Sequence, residues 1–362
     1  MAISAVDAIG PAFEHTKQQL LKPFRLGQWG KLALVGMLAG ELTSGGCSSF
    51  NGFSVPSRTP DDSRQLLDLP GLPGLPPLPH IDPAAIAGLI AFLAIVAFVL
   101  VVAFLYVSSV MRFVLFDSVI AKNCEIGNSW SRRHGAGLGY FVWKILLFLV
   151  TMAGTVILLG LPLGFAALAG WIKAPKEHMV PLILGGIALF FVFFTFIVTA
   201  AVVHVMTKDF VVPQMALENV SAIEGWRRLL PMVGAEKGHY AGYLALKIVM
   251  ALGTAVLVGI AATIVVLVMA IPLGGLGAVA ILMGKAGGLQ WNLYTISAAL
   301  VIGLAIVGLI FYVVSLVSVP AIVFFPAYSM YFFAGRYPAL AGVLRPQAPP
   351  LPPPAQQFGT VG

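Results

Sequence analysis

The stretch AAIAGLIAFLAIVAFVLVVAFLYVSSVM, residues 84–111, carries no charged side chain. As a helix rising 1.5 Å per residue it outruns the roughly 30 Å hydrocarbon core of a bilayer. Residues 140–161, 180–206 and 298–331 read the same way, the last overlong and broken by Pro320 and Pro326. Residues 243–271 make a fifth apolar run, and the tract continues past it to Met283. The weakest is 29–43, whose apolar part is short and whose far end is interrupted by Glu41. Counted with the others it gives six transmembrane helices. A chain of 362 residues that is 59% hydrophobic and only 10% charged has the composition of an all-α integral membrane protein. Helices suit lipid because each satisfies its backbone N–H and C=O groups within one segment.

Charge placement orients these spans, because Lys and Arg collect in short cytoplasmic loops and beside helix ends. With six spans and both termini inside, all but five of the 21 basic residues fall on the cytoplasmic side; Arg58, Arg64, Lys173, Lys176 and Lys285 fall outside. The net charge of +7 is therefore an orientation signal, and the expected location is a bacterial or archaeal inner membrane, multi-pass, with both termini cytoplasmic. A nucleic-acid patch is disfavoured, since the charges flank apolar runs and form no separate basic domain. Cys47 falls outside and Cys124 inside, so the two do not pair. Neither belongs to a CxxC or Cys/His cluster. Ser44-Gly45-Gly46 before Cys47 faintly resembles a lipoprotein cleavage site, but the missing Leu and the long basic leader favour a simple loop thiol.

Repetition organises the chain. Gly139-Tyr140-Phe141-Val142-Trp143-Lys144-Ile145 reappears as Gly242-Tyr243-Leu244-Ala245-Leu246-Lys247-Ile248, each opening a span. Tyr and Lys four apart share a helix face, with the phenol at headgroup level and the ammonium snorkelling back to it. Leu161-Pro162-Leu163-Gly164 is matched by Ile271-Pro272-Leu273-Gly274, where each helix is expected to leave the far side, the second helix being longer by about two turns. Upstream, Trp130-Ser131-Arg132-Arg133 is echoed by Trp226-Arg227-Arg228. Each unit reads as a cytoplasmic amphipathic helix, an outgoing span and a returning span, giving three parallel two-helix repeats. Residues 1–116 form the first, 117–209 the second and 210–345 the third. Pro11 and Pro23 bound the first interfacial helix. Ser221-Ala222-Ile223-Glu224 is a capping box for a later one, which Pro231 is expected to stop, with Ile223, Trp226 and Leu230 on its apolar face. The Pro-rich stretch within the outer loop 47–83 and the Pro-rich tail 346–362 are low in complexity and read as extended chain.

Patterns of catalytic chemistry are scarce. The six histidines show no HExxH or other ligand spacing, no Walker A or GxSxG sequence occurs, and Gly135-Ala136-Gly137-Leu138-Gly139 lacks the strand a nucleotide loop needs. Its glycines read as a flexible lead into the third span. No catalytic residue, metal site or cofactor is therefore expected, and the chain is expected not to be an enzyme. Glu41 and His204 are the intramembrane polar candidates. The better reading of Glu41 places it near the outer headgroups. Arg112 and Asp209 sit at the inner ends of the second and fourth spans, with Asp117 just beyond, and either pair across hairpins or remain interfacial charges. Trp130, Arg132, Arg133, Trp226, Arg227 and Arg228 are the candidate lipid or interface contacts, because Trp and Arg suit a helix lying on an anionic surface. Gly154, Gly160, Gly185, Gly186, Gly253, Gly259, Gly303 and Gly308 read as close packing faces.

The motifs Pro23-Phe24-Arg25-Leu26-Gly27-Gln28-Trp29, Asp209-Phe210-Val211-Val212-Pro213 and Gly225-Trp226-Arg227-Arg228 resemble those of an uncharacterised family of bacterial and archaeal multi-pass membrane proteins. More distantly, the layout is similar to the non-catalytic membrane domain of some glycerophosphodiester phosphodiesterases; no catalytic domain of that kind is present, so the activity does not carry over. The expected role is a non-enzymatic membrane component that binds membrane lipids or an unidentified protein partner, with no nucleic acid involved. The alternative is a transporter or permease for a small solute, which requires a cavity with convergent polar groups.

Overall fold

The computed structural model of the protein describes residues 4–41, 83–171, 174–288 and 293–344. These residues form helices joined by short turns, with no strand among them. In chain order the helices are α1 (Ile9–Leu21), α2 (Leu26–Leu38), α3 (Pro83–Ala121), α4 (Ile126–Leu168), α5 (Met179–Met206), a π-helical turn (Thr207–Val211), α6 (Val212–Glu218), α7 (Ala222–Ala235), α8 (Lys237–Ala286), α9 (Leu293–Val317), α10 (Val319–Ala334) and α11 (Pro338–Leu344). Five helical stretches, in α3, α4, α5, α8 and α9, are long and apolar enough to cross a membrane.

The molecule has two unlike ends. One is a base in which α1, α2, α6, α7, α10, α11 and the adjoining ends of the long helices bury a continuous core. From it the apolar lengths of the five long helices project with Phe98, Leu161 and Leu257 about 70% exposed (69%, 69% and 71%). Such contiguous apolar surface is what lipid covers. α4 has 43 residues and α8 has 50. Pro162 and Pro272 lie within these helices, which continue to Leu168 and Ala286. A proline at membrane depth is tolerated where neighbouring backbone adjusts locally.

The apolar run 29–43 does not form a long helix among the described residues. α2 has 13 residues, about 20 Å at 1.5 Å per residue, against the roughly 30 Å of a bilayer core. It packs into the base at close quarters: a Cβ on Gly36 would strike the side chain of Ile322 in α10, and one on Gly30 would lie 2.6 Å from Tyr312 Oη in α9. Pro320 acts as its position suggested, since the tract 298–331 divides at Ser318 into α9, which is exposed, and α10, which is buried, whereas Pro326 lies inside α10 and does not break it. The Pro-rich outer loop up to residue 82, with Cys47, and the Pro-rich tail lie outside the described residues.

Local rules account for the base. α1 begins with Pro11 in its first turn and ends before Pro23, and it packs along α10. His15 of α1 donates from Nε2 to the Val119 carbonyl at 2.7 Å, leaving Nδ1 to accept from Tyr331 Oη at 3.2 Å. Residues 135–139 are helical, not flexible: Gly137 lets α4 cross α3 so closely that a Cβ there would lie 3.0 Å from the Val110 Cα. Of the glycines read as packing faces, Gly154 meets Phe196, whereas Gly160, Gly185, Gly186, Gly253, Gly259, Gly303 and Gly308 face open space. α11 is tied down by Tyr337, whose hydroxyl donates to Glu218, and by the preceding Arg336, which pairs with Glu236 at 2.7 Å.

Candidate functional site

The motif Asp209-Phe210-Val211-Val212-Pro213 builds the centre of the base. Pro213 has no N–H to offer the carbonyl of Asp209 four residues earlier, and its ring crowds that carbonyl. The helix answers by widening into the π turn Thr207–Val211 just before it, a local expansion often found at functional sites. α6 then ends at Asn219, whose φ of 54° is the left-handed conformation that Asn tolerates best among residues with a Cβ. The turn presents Lys208 and Asp209 inward, with Asp209 1% exposed.

Around it runs a chain of five alternating charges. Lys208 donates from Nζ to Glu41 Oε2 at 2.7 Å. Glu41 also contacts the Arg112 guanidinium, whose Nη2 lies 3.9 Å from Asp209 Oδ1 and 3.4 Å from the Lys208 carbonyl. Asp209 Oδ2 accepts from Lys247 Nζ and, at 2.9 Å, from Tyr243 Oη. Glu41, Arg112 and Asp209 are buried, at 4%, 5% and 1% exposure. Ionised side chains this deep persist only where partners replace water. Tyr243 stacks on Phe332 and Tyr328, with ring centroids 4.6 and 5.2 Å apart. An aromatic wall of Phe210, Tyr240, Tyr243, Tyr328 and Phe332 thus encloses one side of the charges.

Glu41 therefore lies at the same end of the molecule as Arg112 and Lys208, and not at the opposite end where the outer-headgroup reading places it. Its partners Arg112 and Lys208 lie at the base, and Pro83, where α3 begins, is about 43 Å away along that helix at 1.5 Å per residue. Two buried cations hold a carboxylate more strongly than a zwitterionic headgroup surface can, which is the physical reason for its position. The two Tyr-Lys pairs also depart from the snorkelling arrangement. Lys144 lies over the Tyr140 ring at 4.8 Å and Lys247 over the Tyr243 ring at 5.7 Å, and both tyrosines are buried. Lys247 turns inward to Asp209, and Lys144 donates to Ser108 Oγ at 3.3 Å. His204, on α5, is exposed and makes no hydrogen bond among the described residues.

The Trp-Arg candidates fall into separate environments. Trp130 stands edge-on to Tyr106. Arg133 holds Asp117 through two nitrogens, at 2.8 and 2.9 Å, and donates to the Ala216 carbonyl; Arg132 reaches the same carboxylate at 3.5 Å while remaining exposed. Arg228 pairs with Glu224 at 3.0 Å and with Glu218. Arg227 is exposed and makes no ion pair among the described residues. Trp226 and Trp143 both donate to Thr207 Oγ1, at 3.0 and 3.3 Å, which pins α7 to the end of α5. The Ser221 hydroxyl caps α7 by accepting from the Glu224 N–H at 3.3 Å. Pro231 does not stop the helix, which runs to Ala235. α7 buries Ala222, Gly225 and Leu229, and leaves Ile223 and Leu230 of the expected apolar face 67% and 60% exposed. Gly225 allows this, because a Cβ there would lie 2.7 Å from a Val211 methyl.

Glu41, Arg112 and Asp209 stand out along the chain as charges beside apolar runs, whereas Lys208, Lys247 and Tyr243 become their partners only in the folded structure. The recurrent Gly-Tyr-xxx-Lys motif was the available signal, since it fell on the residues that meet Asp209. Among the described residues no three His, Cys, Asp or Glu side chains gather as metal ligands would. No curated protein and no solved structure matches the chain. The likeness to the membrane domain of glycerophosphodiester phosphodiesterases accordingly finds no support. A family profile does match, over nearly the whole length. The chain belongs to the family of unknown function DUF7544, whose profile covers residues 3–343.

Proposed function

We propose that this protein is a non-enzymatic component of a bacterial or archaeal inner membrane, set with its base on the cytoplasmic side and holding the anionic leaflet through α7. The observation that carries the reading is the exposed stripe Ile223, Arg227 and Leu230. It lies on a helix that Trp226 fastens to Thr207, where the lipid-facing part of α5 gives way to the base. Residues at i, i+4 and i+7 share one helix face. Two large aliphatic side chains flanking an unpaired arginine suit the boundary between acyl chains and headgroups. Each basic residue near such a surface adds about 1 kcal/mol.

Orientation follows the positive-inside tendency: Lys17, Lys22, Arg25, Arg132 and Arg227 are exposed on the base. α1 packs on α10, so both terminal regions belong to that side in this reading. No reaction is assigned, because the buried carboxylates Glu41 and Asp209 are already engaged by cations.

Spin labels at 223, 227 and 230, in vesicles of phosphatidylglycerol and phosphatidylcholine, test the placement of α7. Labels at 223 and 230 should show the oxygen accessibility of shallow immersion, with 227 at headgroup depth. Full access of all three to an aqueous nickel chelate would overturn the reading. Passage of a small solute is the second reading, favoured by charged side chains gathered at a π turn next to the apolar spans. The cavity beside Arg112, Lys208, Asp209 and Ser329 has a volume of about 10 Å³, room for about one water. Proteoliposome uptake abolished by Glu41→Gln would promote that reading.

A further inference from the structure

We infer that the junction of α3, α4 and α5 binds a phosphate-bearing anion, in the membrane the headgroup of an anionic phospholipid, with Lys144 as its main ligand and His204 at its rim. The inference deepens the lipid-binding reading above and rests on it. Charge imbalance is the first observation. Among the described residues two carboxylates, Glu41 and Asp209, serve Arg112, Lys208 and Lys247, and each is already shared between two of these cations. Lys144 is a fourth cation beside them: its partner Ser108 stands one helical turn from Arg112 on α3, and the adjacent Trp143 donates to Thr207, next to Lys208. Its polar partners are the neutral Ser108 hydroxyl and the Tyr140 ring face. An ammonium withdrawn from water beside two other cations is costly until an anion joins it.

Access is the second observation. Lys208 and Lys247 have side chains only 11% and 13% exposed, closed in by the base. Lys144 is half-buried, on a helix whose neighbouring Val142 and Phe148 lie 58% and 61% open on the apolar surface. The His204 side chain is exposed, makes no hydrogen bond among the described residues, and lies one helical turn before Thr207, to which Trp143 donates. An anion arriving from the lipid side thus meets Lys144 first, with His204 on the adjoining turn of α5. Basic pockets between spans at headgroup depth hold phospholipids in this manner, and a phosphodiester supplies one negative charge with oxygens that accept charge-assisted hydrogen bonds.

Native mass spectrometry of the intact protein, released from nanodiscs of phosphatidylglycerol and phosphatidylcholine, tests this. Wild type should retain one phosphatidylglycerol in preference to phosphatidylcholine. Lys144→Gln should weaken that retention about fivefold, the equivalent of about 1 kcal/mol for one basic group near an anionic surface, and Lys144→Arg should keep it. Equal retention by Lys144→Gln and wild type overturns the inference. Displacement of the lipid by millimolar inorganic phosphate supports the anion site but overturns the headgroup as its occupant, assigning it to the free anion. Should Lys144→Gln not fold, His204→Ala on the exposed rim is read in the same way: a smaller loss supports the site, and no change overturns it. The depth of labels on α7 does not depend on Lys144, so failure of the Lys144 site and failure of the α7 reading are told apart.

Discussion

Asp209 shows how much rests on a single carboxylate. It accepts from Tyr243 and Lys247 and faces Arg112, all within a buried setting. Removing its charge strands Lys247 where water cannot replace it and leaves Arg112 with Glu41 alone. Asp209→Asn should therefore cost about 3–5 kcal/mol, the usual penalty for breaking a buried pair from one side. Replacing both partners, as Asp209→Asn with Lys247→Met, should recover part of that loss, because no unpaired ammonium then remains. Thermal unfolding in detergent measures both, and a double variant less stable than the single one would contradict this account of the network. His15 offers a pH test outside the spans. Burial holds its imidazole below the ordinary 6.5, with the Lys122 charge acting in the same direction and the Val119 hydrogen bond opposing. Below that value the unfolded chain takes up a proton that the folded one resists. The stabilising contribution is thus complete above about pH 6.5 and shrinks as pH falls toward the depressed folded value. Unfolding temperatures between about pH 8 and about pH 5 should fall more steeply for wild type than for His15→Gln.

At the scale of elements, Gly137 separates packing from mere composition. The α3–α4 crossing brings the Val110 Cα within 3.0 Å of where its Cβ would stand, whereas Gly185 has nothing within 4 Å. Gly137→Ala should cost about 1–3 kcal/mol through displaced backbone. Gly185→Ala should be neutral or stabilising by about 0.5–1 kcal/mol through helix propensity. Chemical unfolding of the two variants side by side checks the difference, and similar losses would mean that the crossing is looser than described. The contrast also marks what the sequence made legible. Apolar length is a property of consecutive residues, so the long helices could be read directly, as could the Ser221 cap, which joins residues three apart. The fate of 29–43 was not legible in this way. It depends on Ile322 and Tyr312, far along the chain, and on Glu41 meeting Lys208 across 167 residues. Which side of α7 packs inward was not legible either. Gly225 and Ala222 let that side approach Val211 closely, and Ile223 and Leu230 are left exposed.

For the whole molecule, the base fixes which loops share a side. α1 packs on α10, Glu41 of the segment after α2 meets Arg112 and Lys208, and Arg132, Arg133 and Asp117 lie where α3 and α4 join. Lys176 lies between the far ends of α4 and α5. α5 runs 28 residues from Met179 back to the base, about 42 Å at 1.5 Å per residue, which exceeds a hydrocarbon core of roughly 30 Å. Positions 22, 132 and 227 should therefore share one aqueous compartment, with 176 in the other. Single cysteines at these positions, in a background lacking Cys47 and Cys124, can be tested in intact cells with a membrane-impermeant maleimide. The proposed orientation expects labelling at 176 from outside and protection of 22, 132 and 227 until the membrane is opened. Removing Cys124 should disturb the result little, since its buried thiol is held above its ordinary pKa by desolvation and reacts poorly. Labelling of 132 and 227 from outside, with 176 protected, would invert the orientation while keeping the fold. Labelling of 176 together with 132 from one side would mean that α4 and α5 do not cross, and the separation into a packed base and lipid-covered helices would fail with it.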